Sequence, residues 1–219
     1  ATIAVNPAYL AEFEKRAQDL KAEYAIHDAD LNIQIEATTQ ADKGMSLTDT
    51  KKVTTALYAC HNGVFRYSRA IEGLVETSSS LARVIVKDGE FITQSLQRSS
   101  VESGKYDVAY TVAAPFHLIG CEVVHQGDYP GWSPNPTSPI LDVLVAKYKE
   151  LFDNEEPKVM AIHAGLECGL LGERYPGLDM ISFGPTIKGA HSPDERCGIQ
   201  STVKFWKFLK EILANVPKF

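Results

Sequence analysis

Cysteine is sparse and unpaired in this chain. Cys60, Cys121, Cys168 and Cys197 lie far apart and no C-x-x-C occurs, so the spacing argues against a disulfide framework or a zinc knot and for free thiols in a reducing cytoplasm. Basic runs are missing as well. Lys and Arg number 22 against 28 Asp and Glu, a formal net charge of −6, and no interleaved aromatic stripe accompanies them, which sets nucleic acid aside as a partner. With 44% hydrophobic and 23% charged residues, the composition is that of a soluble globular protein with a real core, and it sets aside the membrane and disordered classes. A small molecule or another protein is the expected partner. G-x-G-x-x-G, P-loop, G-x-S-x-G and H-E-x-x-H motifs are absent, as are internal repeats and low-complexity tracts. The Glu155-Glu156 pair sits in a polar turn where solvated charge is the ordinary expectation.

The elements that are there fall into two groups. Residues 1–5 read as a strand, and a chain that opens inside a strand reads as part of a larger enzyme. Asn6 before Pro7 is a strong helix start, and the helix should bury Leu10, Phe13, Ala17, Leu20 and Tyr24 at spacings of three and four. Residues 32–38 alternate as a half-buried strand. Ser46 or Thr48 opens a second helix that carries Val53, Leu57 and Tyr58 toward Cys60. From Gly73 the period changes to two: strands at 74–78, 82–87 and 91–97, the last two joined by a Lys87-Asp88-Gly89-Glu90 turn. A helix over 101–118 and a strand over 122–125 complete a ferredoxin-like antiparallel sandwich. Residues 127–139, rich in glycine and proline, read as a linker. Beyond it, a helix at 138–152, a strand at 158–163, a short helix after Gly165, a strand at 178–183 and a helix at 199–214 form an αβαβα tail. Two buried strands are too few for a complete parallel sheet.

The most informative segment runs from Asp179 to Glu195. It reads as a buried strand that delivers His191 to a rigid turn before a helix, with Pro185, Gly189 and Pro193 fixing the backbone on both sides. Asp194 and Glu195 suit the positive end of that helix. Metal ligands are often presented this way, although a histidine in a polar turn is more commonly a surface residue or bonded to backbone. A single histidine cannot hold a catalytic metal, and no carboxylates stand at recognisable ligand spacing around it.

At Tyr129-Pro130-Gly131-Trp132, at Ile162-His163-Ala164-Gly165-Leu166-Glu167-Cys168-Gly169-Leu170, and from Gly184 to Glu195, the chain closely resembles the bacterial aminoacyl-histidine dipeptidases. These are also called Xaa-His or cytosol non-specific dipeptidases and are related to carnosinases and glutamate carboxypeptidases. The resemblance extends over essentially the whole chain. It implies an α/β protein in which residues 1–129 form most of an α+β lid, used for dimerisation and substrate capping. Residues 130–219 would be the last stretch of a di-zinc peptidase catalytic domain.

The family cleaves dipeptides with two metals bridged by water and a carboxylate, while a glutamate takes the proton. By the resemblance His191 ligates one metal, and Arg98 contacts the substrate carboxylate, a role suited to a planar bidentate donor. Gly165 lines the substrate site where a side chain would obstruct close approach. Glu167 binds substrate, and His163 lies in the same motif as a pocket or supporting residue. Without the resemblance, Arg98 is an arginine ending a strand, Gly165 a turn glycine and Glu167 a solvated helix start. The remaining ligands and the general base have no counterpart here and are expected before Ala1, which leaves the metal site incomplete and the chain inactive alone. The implied partners are a dipeptide, the missing N-terminal segment and a second copy through the lid, in the cytoplasm. The rival reading is a non-catalytic αβ-sandwich module for oligomerisation or regulation.

Overall fold

The computed structural model describes residues 1–39, 43–161 and 167–216. They fall into two compact units, Ala1–Lys52 and Val53–Phe219. In the first unit Asn6 Oδ1 accepts the N–H of Ala8 at 3.0 Å, and Pro7 starts a single 3-10 turn that runs into α1, Leu10–Tyr24. The start is as expected, but the burial is not. Only Ala17 is buried on α1, and Leu10, Phe13, Leu20 and Tyr24 are exposed. Neither 1–5 nor 32–38 forms a strand. Ile33 and Ile35 line a shallow groove with Ala11 and Ala17 instead. A strand needs a ladder partner, and alternation alone does not supply one.

Helix α2, Leu47–Ala59, spans the boundary between the units. Ser46 caps it, accepting the Asp49 N–H at 3.0 Å while its hydroxyl donates to Asp49 Oδ2 at 2.8 Å, which satisfies one of the free donors of the first turn. Val53 and Ala56 are buried as the helical period requires, but Tyr58 is 95% exposed. Position 58 lies on the far side of a helix whose inner face is 53, 56, 57 and 60.

The second unit holds a three-stranded antiparallel sheet of order β1-β2-β3. Strand β1, Gly63–Tyr67, was not among the expected strands. The two strands expected at 74–78 and 82–87 are one 13-residue strand, β2, Val75–Lys87. Its register shifts between Leu81 and Arg83, so the apparent break is a bulge within one strand. The turn to β3, Glu90–Ser99, has Asp88 and Gly89 both at positive φ, 54° and 83°, the geometry that the Asp-Gly pair favours. Helix α3, Glu102–Leu118, packs on β2 and β3. Val108, Val112 and Phe116 make the core with Ala56 and Cys60, against Phe65, Leu81 and Phe91. Residues 122–125 form no strand, though Cys121 and Val123 still pack on this core.

Residues 127–138 are irregular and lie within the second unit. They lead to α4, Pro139–Leu151, and α5, Glu167–Arg174, and the chain ends in α6, Ile199–Ala214. Phe208 of α6 is buried against Tyr148 and Phe152, with ring centroids 5.4 and 6.3 Å away. The two expected parallel strands are absent where they can be judged: 178–183 and 158–161 form no ladder, and residues 162 and 163 lie outside the described residues. No neighbouring strand is available to either stretch among the described residues, so Met160 is 77% and Leu178 49% exposed. Among the described residues of this part, the only β structure is a two-rung antiparallel ladder of β4, Ile187–Lys188, with β5, Arg196–Cys197. The architecture is mixed α/β, a small antiparallel sheet followed by several helices.

Candidate functional site

His191 sits in the loop that the β4–β5 ladder closes. The ladder pairs Ile187 with Cys197 and Lys188 with Arg196, and Gly198 N donates to Thr186 O at 2.9 Å. No strand runs straight into the histidine. The loop itself is internally bonded: Ser192 Oγ donates to Gly189 O at 2.7 Å, Asp194 N donates to Ser192 Oγ at 3.2 Å, and Glu195 N donates to Ser192 O at 3.1 Å. Gly189 and His191 both lie in the left-handed region, at φ 65° and 64°. Glycine enters that region freely and histidine does so several-fold more often than most residues. The His191 N–H donates to Glu195 Oε2 at 2.8 Å.

The His191 side chain is exposed, and among the described residues its ring takes part in no hydrogen bond, ion pair or ring contact. An unengaged imidazole fits one position in a metal's coordination sphere. Among the described residues no group of three or more His, Cys, Asp or Glu side chains is placed to hold a metal ion. His191 therefore fits as a single ligand and not as a site.

Arg98 occupies the penultimate position of β3, opposite Ser78. Alternation turns Phe91, Gln97 and Ser99 toward α3 and puts Ile92, Leu96 and Arg98 on the open face of the sheet. Its guanidinium is exposed and unpaired among the described residues. Arg66 offers a contrast on β1, two strands away across the same sheet. Its Nε donates to Glu76 Oε1 at 2.6 Å, above the buried hydroxyl pair of Thr77 and Ser99, 2.8 Å apart. A Cβ on Gly104 of α3 would collide with the Arg66 guanidinium and crowd the Thr77 hydroxyl. One arginine is thus committed to a carboxylate of its own sheet and the other is free to take one from outside.

A cleft of about 470 Å³ opens beside the start of α3, lined among others by Glu102, Trp132, Cys168, Gly169, Glu173 and Asp179. Pro130 and Gly131 of the Tyr129-Pro130-Gly131-Trp132 stretch also line it. Glu167, the first residue of α5, is exposed, while its neighbour Cys168 has its thiol pKa raised by burial and by the Glu167 charge. Gly165 and His163 lie outside the described residues. Among the described residues no hydrogen bond or ion pair joins Arg98, Glu167 and His191 to one another.

A polar network that the sequence did not announce holds the 127–133 stretch in place. Lys105 Nζ lies 2.6 Å from Asp128 Oδ1 and 2.8 Å from Glu102 Oε2, and donates to Tyr129 O at 2.8 Å. Burial works against the Lys105 charge, but hydrogen bonds and attraction from Asp128 and Glu102 outweigh it and raise its pKa. Hydrogen bonds from Lys105 and Tyr106 in turn depress the Asp128 carboxyl. Further on, Asp179 accepts from Ile140 N at 3.1 Å and from Ser138 Oγ at 2.8 Å, which anchors the start of α4 and lowers the Asp179 pKa. The only sequence signal for either device is an aspartate near a glycine- and proline-rich stretch.

The model of peptidase family M20/M25/M40 matches residues 7–215. The cytosol non-specific dipeptidase of Escherichia coli (strain K12) is 36% identical over 198 residues, 90% of this chain and 41% of that protein. The crystal structure of aminoacylhistidine dipeptidase from Vibrio alginolyticus has the same fold over 97% of this chain and 43% of its own, with a TM-score of 0.79 and 36% identity. The chain thus spans less than half the length of these relatives.

Proposed function

The chain belongs to the peptidase family M20/M25/M40, and on that premise we propose that the full-length protein carrying it is a metal-dependent dipeptidase, with Xaa-His dipeptides among its substrates. The observation that carries this reading is the similarity, at one and the same level of identity, to two relatives that are both named as dipeptidases. The unengaged imidazole of His191 and the unpaired guanidinium of Arg98 support it chemically.

In this proposal residues 1–129 are a lid and residues 130–219 belong to the catalytic domain, the last αβαβα stretch of a di-zinc peptidase fold. Its two parallel strands would form only against neighbours from elsewhere in the full-length protein, which accounts for the exposed apolar residues Val159, Met160 and Leu178. His191 supplies one metal ligand, and the remaining ligands and the general base come from portions of the full-length enzyme outside these residues. Two divalent ions, zinc in this proposal, supply a polarised scissile carbonyl and a water acidic enough to attack at neutral pH. Arg98 takes the C-terminal carboxylate of the dipeptide in a bidentate pair. Gly165 lets the substrate approach the backbone, and Glu167 lines the same pocket. Among the described residues the ten-residue outer strand β3 has an open sheet edge, which fits pairing with a second copy through the lid. The cytoplasm is the proposed location, in keeping with four free cysteines and with the name of one relative.

The test uses the full-length protein with this sequence. Turnover of an Xaa-His dipeptide should be abolished by a chelator and restored by zinc. Undiminished turnover after complete metal removal would sink the proposal.

A further inference from the structure

We propose that Glu195 is a positioning residue for His191, fixing the left-handed turn from which the imidazole is presented; this rests on the reading of His191 as a metal ligand. A residue at φ 64° is in a sparsely populated region and stays there only when its surroundings hold it. The ladder of β4 and β5 fixes the ends of the loop, and Ser192 ties its middle to Gly189 through both its amide and its hydroxyl. Neither bond involves the His191 amide. That N–H has one partner, Glu195 Oε2 at 2.8 Å, a charge-assisted bond of the stronger kind.

The partner is itself well placed to act as a clamp. Glu195 adjoins β5 and its own amide is bonded to Ser192 O at 3.1 Å, so its backbone moves with the ladder and its carboxylate crosses the loop to His191. That carboxylate is spent on the main chain and not on the ring, so the imidazole is oriented without being occupied. A ring N–H donated to a carboxylate is the usual way to orient a ligand histidine, and here the carboxylate accepts from the backbone N–H instead. Asp194 provides an internal control, because among the described residues it bonds within the loop through its backbone N–H and carbonyl only.

The experiment measures zinc affinity of the full-length protein by competition with a chromogenic chelator, together with hydrogen exchange of the loop peptide 187–197. Glu195→Ala should weaken zinc binding at least about tenfold, in the range seen when a group supporting a ligand is removed, and should speed exchange in the loop. Glu195→Gln retains an oxygen that can accept the His191 N–H and should recover most of the affinity, while Asp194→Asn should change neither readout. If His191→Ala leaves zinc affinity untouched, the metal-ligand reading fails and this inference with it. If His191→Ala weakens binding but Glu195→Ala does not, the clamp alone is overturned. Equal losses in the Ala and Gln variants would also overturn it, since the amide's acceptor would then not be what matters.

Discussion

Glu102, in the first turn of α3, accepts the backbone N–H of Gly131 at 2.9 Å. A stretch composed like a free linker is thereby fastened to the helix that follows the Arg98 strand. Ser133 Oγ adds a second tie, donating to Ser100 O at 2.7 Å. The 127–133 stretch therefore reports the position of the end of β3 to the start of α5, where Gly169 lies against Pro130 O.

Gly131 is the tightest of them. A Cβ at this position would collide with the carbonyl oxygen of Ser99 and crowd Ser100, and backbone cannot move aside as the end of a flexible side chain can. Gly131→Ala should destabilise the 219-residue chain by about 1–3 kcal/mol, the usual range for overpacking. Urea denaturation checks this, and an unchanged midpoint would show that the stretch is looser than the contacts indicate.

The Lys105 network sets a pH window. The Asp128 carboxyl is depressed, chiefly by hydrogen bonds from Lys105 and Tyr106. Its contribution is therefore present above the unfolded value of about 3.9 and lost as pH falls through the lower folded value. The Lys105 pKa is raised, because its acidic partners overcome the burial that opposes its charge. Its contribution is full below about 10.4 and lost as pH rises through the higher folded value. Asp128→Asn should lower thermal stability at neutral pH, with the gap from the parent narrowing below about pH 4. A gap that stays constant down to pH 2–3 would remove the Asp128 charge from the account.

Asp179 anchors α4 by a different route. It accepts the Ile140 N–H and the hydroxyl of Ser138, which is only 2% exposed. Removing the carboxylate strands a buried hydroxyl and a free helix donor, so Asp179→Ala should lower the midpoint of equilibrium unfolding at neutral pH. The Asp179 pKa is lowered by these bonds, the Ile140 amide first, so the penalty should fade as pH drops through the folded value. A loss confined to acid pH would have the sign wrong.

These devices mark the limit of what the sequence could disclose. Helix α6 was legible to both ends because its apolar period and the preceding Gly198 are local signals, and so was the Asp88-Gly89 turn. Strand β1 was missed because Gly63–Tyr67 is short and is defined by its pairing with β2. The stretches 158–161 and 178–183 misled for the opposite reason. Apolar composition says that a segment is buried in something, but not that the partner lies within the same residues. At the site, His191 and Arg98 stood out through motifs, whereas the bond from His191 N to Glu195 depends on a left-handed turn that no spacing rule encodes.

Arg98 carries the most discriminating prediction. It is exposed and unpaired among the described residues, while Arg66 on β1 of the same sheet is paired with Glu76 at 2.6 Å. If the free guanidinium takes the substrate carboxylate, lysine cannot reproduce the planar bidentate pair. Arg98→Lys in the full-length protein should then lower kcat/KM at least about tenfold, equivalent to roughly 1.4 kcal/mol of transition-state stabilisation. Metal content should be unchanged, because the residue makes no claim on the metal. Dipeptides with an amidated C-terminus have already lost the partner of the guanidinium, so the substitution should scarcely affect their already poor turnover. Equal losses on free and amidated dipeptides would mean that Arg98 supports the end of β3, and that the carboxylate is bound by another group.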